Sequence, residues 1–129
     1  MRLLLDTHAL LWALTRPNRL SARARELITD RANTLVVSAV SGWELSTKHR
    51  LGKLASAESL VLAYPEYVRR LGIEELPISS RHAMAAGGLP WDHRDPFDRM
   101  LAAQSVLEAT PLVTADAVFA ELAGLSTVW

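Results

Sequence analysis

Apolar residues recur along this chain in two rhythms. Short solid runs alternate with longer stretches in which one face returns every three or four positions. The runs predict strands over 2–5, 35–37, 112–114 and 126–129, with a short edge-like strand over 73–78. The helical stretches lie between them. One begins after Thr7 on the spine Ala9, Leu10 and Ala13, and a second, capped by Ser21, spans about 22–30 with Ala24, Leu27 and Ile28 inward. Ser38 or Ser41 caps a third that runs to Arg50 and stops at Gly52. Another starts at Ser56 or Ala57, bends near Pro65 and ends before Gly72. Ser80 is expected to cap a helical turn through Ala86. Asp95-Pro96-Phe97-Asp98 opens the next helix, with a cap, a proline at the first position and an acid in the first turn. The last covers 117–123.

Strands separated by helices imply right-handed crossovers and a mainly parallel sheet covered on both faces. The expectation is an α/β domain with four or five strands, residues 1–129 forming one unit.

Half of the residues are hydrophobic and 22% are charged, with 14 Lys+Arg against 14 Asp+Glu, so neither disorder nor a large one-signed field is indicated. Nucleic-acid binding would have to come from local basic patches, such as Arg16, Arg19, Arg23 and Arg25, or Lys48, Arg50 and Lys53. The absence of cysteine excludes disulfides and thiolate zinc sites. Asp6 and His8 interrupt the apolar N-terminus, which therefore reads as strand, turn and helix rather than a signal peptide, and no apolar run is long enough for a membrane helix. A cytoplasmic location is the expectation.

Four carboxylates stand at element boundaries: Asp6 and Asp116 close strands, Glu44 lies in the helix after the second strand, and Asp98 opens the helix before the Asp116 strand. Each has an ordinary reading. Asp6 and Asp116 can cap the helices that follow them, Asp95 is better explained as a cap than as a catalyst, and Glu44 can pair with Lys48 on an exposed helix face. Capping, however, does not require four acids to converge. In the expected sheet they meet beyond the carboxyl ends of the strands, where open α/β sheets bind ligands. Clustered carboxylates raise one another's pKa unless a cation neutralises them, and an all-oxygen set suits Mg²⁺ or Mn²⁺.

These residues also carry a resemblance. Leu3-Leu4-Leu5-Asp6-Thr7-His8-Ala9-Leu10-Leu11-Trp12, Ser38-Ala39-Val40-Ser41-Gly42-Trp43-Glu44-Leu45 with Lys48, Asp95-Pro96-Phe97-Asp98-Arg99, and Leu112-Val113-Thr114-Ala115-Asp116 follow one another at the spacing of a family pattern. Together they resemble PIN-domain ribonucleases of the VapC toxin type. The resemblance implies a three-layer α/β/α fold and a Mg²⁺-dependent endoribonuclease, the toxin of a type II toxin–antitoxin pair. It further implies a homodimer silenced by a cognate antitoxin. Asp6, Glu44, Asp98 and Asp116 would be its catalytic and metal-binding acids, Asp6 and Asp98 foremost. Thr7 and Thr114 match the family's companion hydroxyls, for a water or phosphate, while Lys48 and Arg99 stand next to the acids as expected phosphate contacts. Hydrolysis would leave a 5′-phosphate. A PIN nuclease acting in RNA processing outside such a pair is the nearest alternative.

Two other classes compete. A metal-independent ribonuclease would use a histidine pair, His8 and His93, leaving the acids without a role, with His49 and His82 on the surface or behind the site. A phosphoacceptor switch would need an acidic pair after the first strand, where only Asp6 stands.

Overall fold

The computed structural model describes residues 1–54 and 57–129. Its centre is a five-stranded sheet, β1 (Arg2–Leu5), β2 (Thr34–Ser38), β3 (Glu74–Leu76), β4 (Leu112–Val113) and β5 (Thr127–Val128), in the order β3-β2-β1-β4-β5. Every neighbouring pair is parallel, so the sheet is wholly rather than mainly parallel. Helices α1 (Thr7–Thr15), α2 (Ala22–Thr29), α3 (Ala39–Arg50), α4 (Glu58–Leu62), α5 (Tyr64–Arg70), α6 (Ser80–Gly88) and α7 (Pro96–Leu107) make the connections.

The solid apolar runs follow from burial on both faces. Leu3 and Leu5 face one core with Leu10, Leu27 and Leu45, while Leu4 and Val36 face the other with Leu101, Ala102 and Phe119. That is the three-layer α/β/α arrangement, since a parallel sheet needs helices on both sides. The chain first builds outward from β1 through β2 to β3, then returns to place β4 on the other flank of β1. The direction of winding therefore reverses between β1 and β4, and a crevice opens beyond their carboxyl ends.

Several boundaries differ from expectation for physical reasons. Residues 117–123 form a shorter 3-10 helix, Ala117–Glu121, opened by Asp116, which accepts the Val118 N–H at 3.0 Å, and followed by the turn at Gly124, whose φ of +86° a helix cannot continue through. The expected helix through Pro65 is two helices: Pro65 sits in the first turn of α5, where its missing N–H costs nothing. Its suggested start at Ser56 lies outside the described residues. Ser79, not Ser80, caps α6, in a reciprocal pair where His82 Nδ1 accepts from the Ser79 N–H. Gly52 and Gly72 end their helices at φ +75° and +66°, a left-handed turn that side chains resist. No helix among the described residues is long and apolar enough to cross a membrane.

Candidate active site

The crevice brings Asp6, Glu44, Asp98 and Asp116 to the wall of one cavity of about 290 Å³, with Thr7, His8, Lys48, His93 and Asp95 beside them and Leu101 and Phe119 beneath. Asp6 leaves the end of β1 and is 5% exposed. One of its oxygens accepts the Ala9 N–H at 2.6 Å, so Asp6 both caps α1 and faces the cleft. Asp116 lies just past β4. Its N–H donates to Thr114 Oγ1 at 3.0 Å.

Asp95 caps α7, accepting from the N–H groups of Phe97 and Asp98 at 2.9 and 3.1 Å. The helix start thus holds Asp98 over the cleft. His93 reaches back from the preceding loop and sets its Nε2 2.7 Å from Asp98 Oδ2. Glu44 does pair with Lys48, at 2.6 Å, but not on an exposed face: its side chain is 5% exposed and lines the cavity.

Burial sets the electrostatics. Desolvation raises the pKa of Asp6, aided by the charge of Glu44 and opposed by Thr114, Ala9 and His8. Desolvation also raises that of Asp98, with Asp95 and Glu44 adding to it and His93 opposing it. Both groups are acids whose ionised form lacks a full complement of positive charge, and a bound cation would supply it.

Among the described residues no three acidic or histidine side chains close on one point. At most two of them could therefore hold an ion directly, and only an ion that completes its shell with water, as Mg²⁺ can, would fit.

Other expected site residues have different places. Arg99 is turned away from the cleft. Its Nε donates to Ala86 O, one terminal nitrogen to Trp91 O and His93 O, and the other to Gly87 O and Leu89 O, over 2.7–3.4 Å. Its five N–H donors are thereby used, and the expected phosphate contact is instead a clamp on the loop that carries His93. Thr114 is 4% exposed, and its hydroxyl oxygen accepts the Asp116 N–H. Thr7 lines the cavity, its hydroxyl bonded to Ser41 at 3.0 Å.

Of the two places expected for His82, the surface or behind the site, it takes neither a surface position nor one in the cleft: it is buried, with Nε2 2.8 Å from Glu108. The spacing of His93 from Asp98 held no periodic signal, because the contact crosses from a loop into a helix. Arg99 next to Asp98 looked like a site residue for its position alone.

The profile of the PIN domain matches residues 3–125. The chain belongs to the PIN domain family. Ribonuclease VapC16 of Mycobacterium tuberculosis is 35% identical to this PIN domain over 58 residues, a segment covering 45% of this chain and 41% of that protein. The chain thus spans less than half the length of that relative.

In structure, this PIN domain is similar to the VapBC2 complex of Rickettsia felis bound to a promoter DNA fragment, with a TM-score of 0.72 and 19% identity over 100% of this chain and 99% of that one. It is similar as well to VapBC-5 of Mycobacterium tuberculosis, with a TM-score of 0.67 and 19% identity over 98% and 97%. FitAcB of Neisseria gonorrhoeae gives 0.70 and 17% over 100% and 97%. At these identities the likeness is one of fold.

The Glu44–Lys48 pair gives a direct test of the cleft's charge balance. Lys48→Met is expected to cost about 1–3 kcal/mol, because it strands a buried carboxylate, and adding Glu44→Gln should recover most of that loss. Urea melts of the two single variants and the double variant measure the coupling.

Proposed function

We propose that this chain is a divalent-metal-dependent endoribonuclease and the toxin of a type II toxin–antitoxin pair. The observation that carries the reading is the convergence of Asp6, Glu44, Asp98 and Asp116 at the switch point of a PIN-domain sheet. Its support from relatives is that one curated protein similar to it is named a ribonuclease, and that structural neighbours are described as toxin–antitoxin complexes. The partners proposed are RNA, a cognate antitoxin and a second copy of the chain, all in the cytoplasm.

Asp6 and Asp98 would hold the ion directly, and Glu44 and Asp116 through waters. Mg²⁺ or Mn²⁺ bound there supplies charge stabilisation at the phosphate and an acidified water for hydrolysis. The chain's own residues prepare the site. Ala9 N–H fixes Asp6, and His93 fixes Asp98. Lys48 cancels the charge of Glu44 at the cleft wall, which lowers the repulsion a phosphodiester meets on approach. Leu101 and Phe119 are the buried apolar residues of the cavity lining. In the hydrolysis a water oxygen bonds to phosphorus, the P–O3′ bond breaks and the 3′ oxygen leaves as a hydroxyl.

The termini of the products test this reading against histidine chemistry, which His8 and His93 at the same cavity make a definite competitor. Defined tRNA, rRNA stem-loop and mRNA fragments should be cut to 5′-phosphate and 3′-hydroxyl ends. A 2′,3′-cyclic phosphate with a 5′-hydroxyl would instead assign the reaction to attack by the neighbouring 2′-hydroxyl.

A further inference from the structure

A second recess of about 270 Å³ opens directly from the acidic cleft. It shares Asp6, His8 and Asp116 with the cleft and adds Trp12 and Ala115. Its walls beyond the shared carboxylates are thus an indole, an imidazole and a methyl group. We propose that this recess seats an unpaired nucleobase of the RNA, adjacent to the scissile phosphate, with Trp12 as its stacking surface. The proposal rests on the ribonuclease reading and deepens it by naming a base subsite.

Three observations favour a nucleobase as the occupant. The first is continuity: a group in the recess lies within one nucleotide's reach of a phosphate in the cleft, because the same three residues border both. The second is the setting of Trp12. Its ring is 5.7 Å from that of His8 and 5.9 Å from that of Trp129, tilted at 45° and 60°, so neighbouring rings brace the indole while it still lines the cavity. Packing against the core accounts for the rest of the side chain, which is half-buried. The third is charge. The Arg19 guanidinium stands 5.9 Å from the Trp12 ring centroid, and Arg16 and Arg19 are exposed. A guanidinium over the aromatic ring places a cation beside the stacking surface, which suits a base that carries its phosphate with it. Stacking accepts any base, so the subsite calls for an unpaired nucleotide rather than a particular letter.

The test uses an RNA with one mapped cleavage site, in which each flanking nucleotide in turn is replaced by an abasic one. Wild-type protein should lose about tenfold in kcat/KM when one particular flanking base is removed. Trp12→Ala should lose a similar factor on the intact RNA and little further on that abasic RNA, while Trp12→Phe keeps most of the activity. If no flanking abasic position matters, the proposal is overturned. It is overturned equally if Trp12→Ala lowers both substrates by the same factor. Because the abasic replacement leaves the protein unchanged, a folding defect in the alanine variant cannot hide the answer. Mapped cutting by the wild type is the control for the ribonuclease reading: with cutting present and no base effect, only the subsite falls.

Discussion

Asp98→Asn is expected to lower RNA cleavage on the order of 10³-fold, since it removes a ligand charge worth several kcal/mol at the reacting phosphate. The same substitution is expected to stabilise the metal-free protein at neutral pH. The sign follows from the raised pKa. Burial makes the folded protein hold the Asp98 proton more tightly than the unfolded chain does. That favours folding below the ordinary carboxylate pKa, and the benefit is lost as pH rises through the raised value. At pH 7 the ionised group therefore weighs against folding, and asparagine removes the burden. Thermal melts in EDTA should show the variant melting above the wild type at neutral pH, the gap closing toward about pH 4. Added Mg²⁺ should raise the wild-type midpoint more than that of the variant. A variant that melts lower at pH 7 would mean that Asp98 is paired by protein groups and needs no cation. Asp6→Asn should match it in activity, and its cap on α1 should survive because asparagine caps as well as aspartate.

Arg99 carries the largest expected effect on stability. Five carbonyls between Ala86 and His93 turn toward one guanidinium. Arg99→Met should remove all five bonds, leaving only the Leu89 carbonyl with another donor, the Trp91 N–H, and costing about 3 kcal/mol or more in urea unfolding. Arg99→Lys should recover only a small part, because an ammonium is a compact donor that cannot span the fork. Activity should fall as well, through His93, whose carbonyl the clamp holds and whose ring holds Asp98. Were Arg99→Met to unfold within about 1 kcal/mol of the wild type, the loop would be fixed by its other contacts, among them the packing of Trp91 on Phe119.

What was legible in the sequence was whatever periodicity and end signals encode. The runs around Leu4, Val36 and Leu112 stand out because a strand buried on both faces has no polar alternation to blur it. Asp95-Pro96 marks the start of α7 because an aspartate cap and a first-turn proline satisfy a helix end by local chemistry. Asp6 and Asp116 were legible together because strand ends in a parallel sheet share one edge, and Glu44 and Asp98 because each lies in the first turns of a helix. The contacts across elements were not. Glu44 and Lys48 have the spacing of an exposed pair, and only the packing of α3 against the sheet turns that pair into the cleft. Arg99 shows the converse error, since adjacency along a helix places consecutive side chains about 100° apart and points Arg99 away from Asp98's cavity. Trp12 belonged to a recognisable motif, yet nothing in its spacing revealed that it borders a recess rather than only filling the core.

The most direct measurement is cleavage of a single mapped RNA by wild-type protein and by Asp6→Asn and Asp98→Asn, with Mg²⁺ or Mn²⁺ titrated in from an EDTA-treated start. Activity that is absent in EDTA, rises with the added ion and is missing from both variants is the predicted result. Full cutting in EDTA, retained by both variants, would contradict a carboxylate-held metal and leave the acids without the role given to them here.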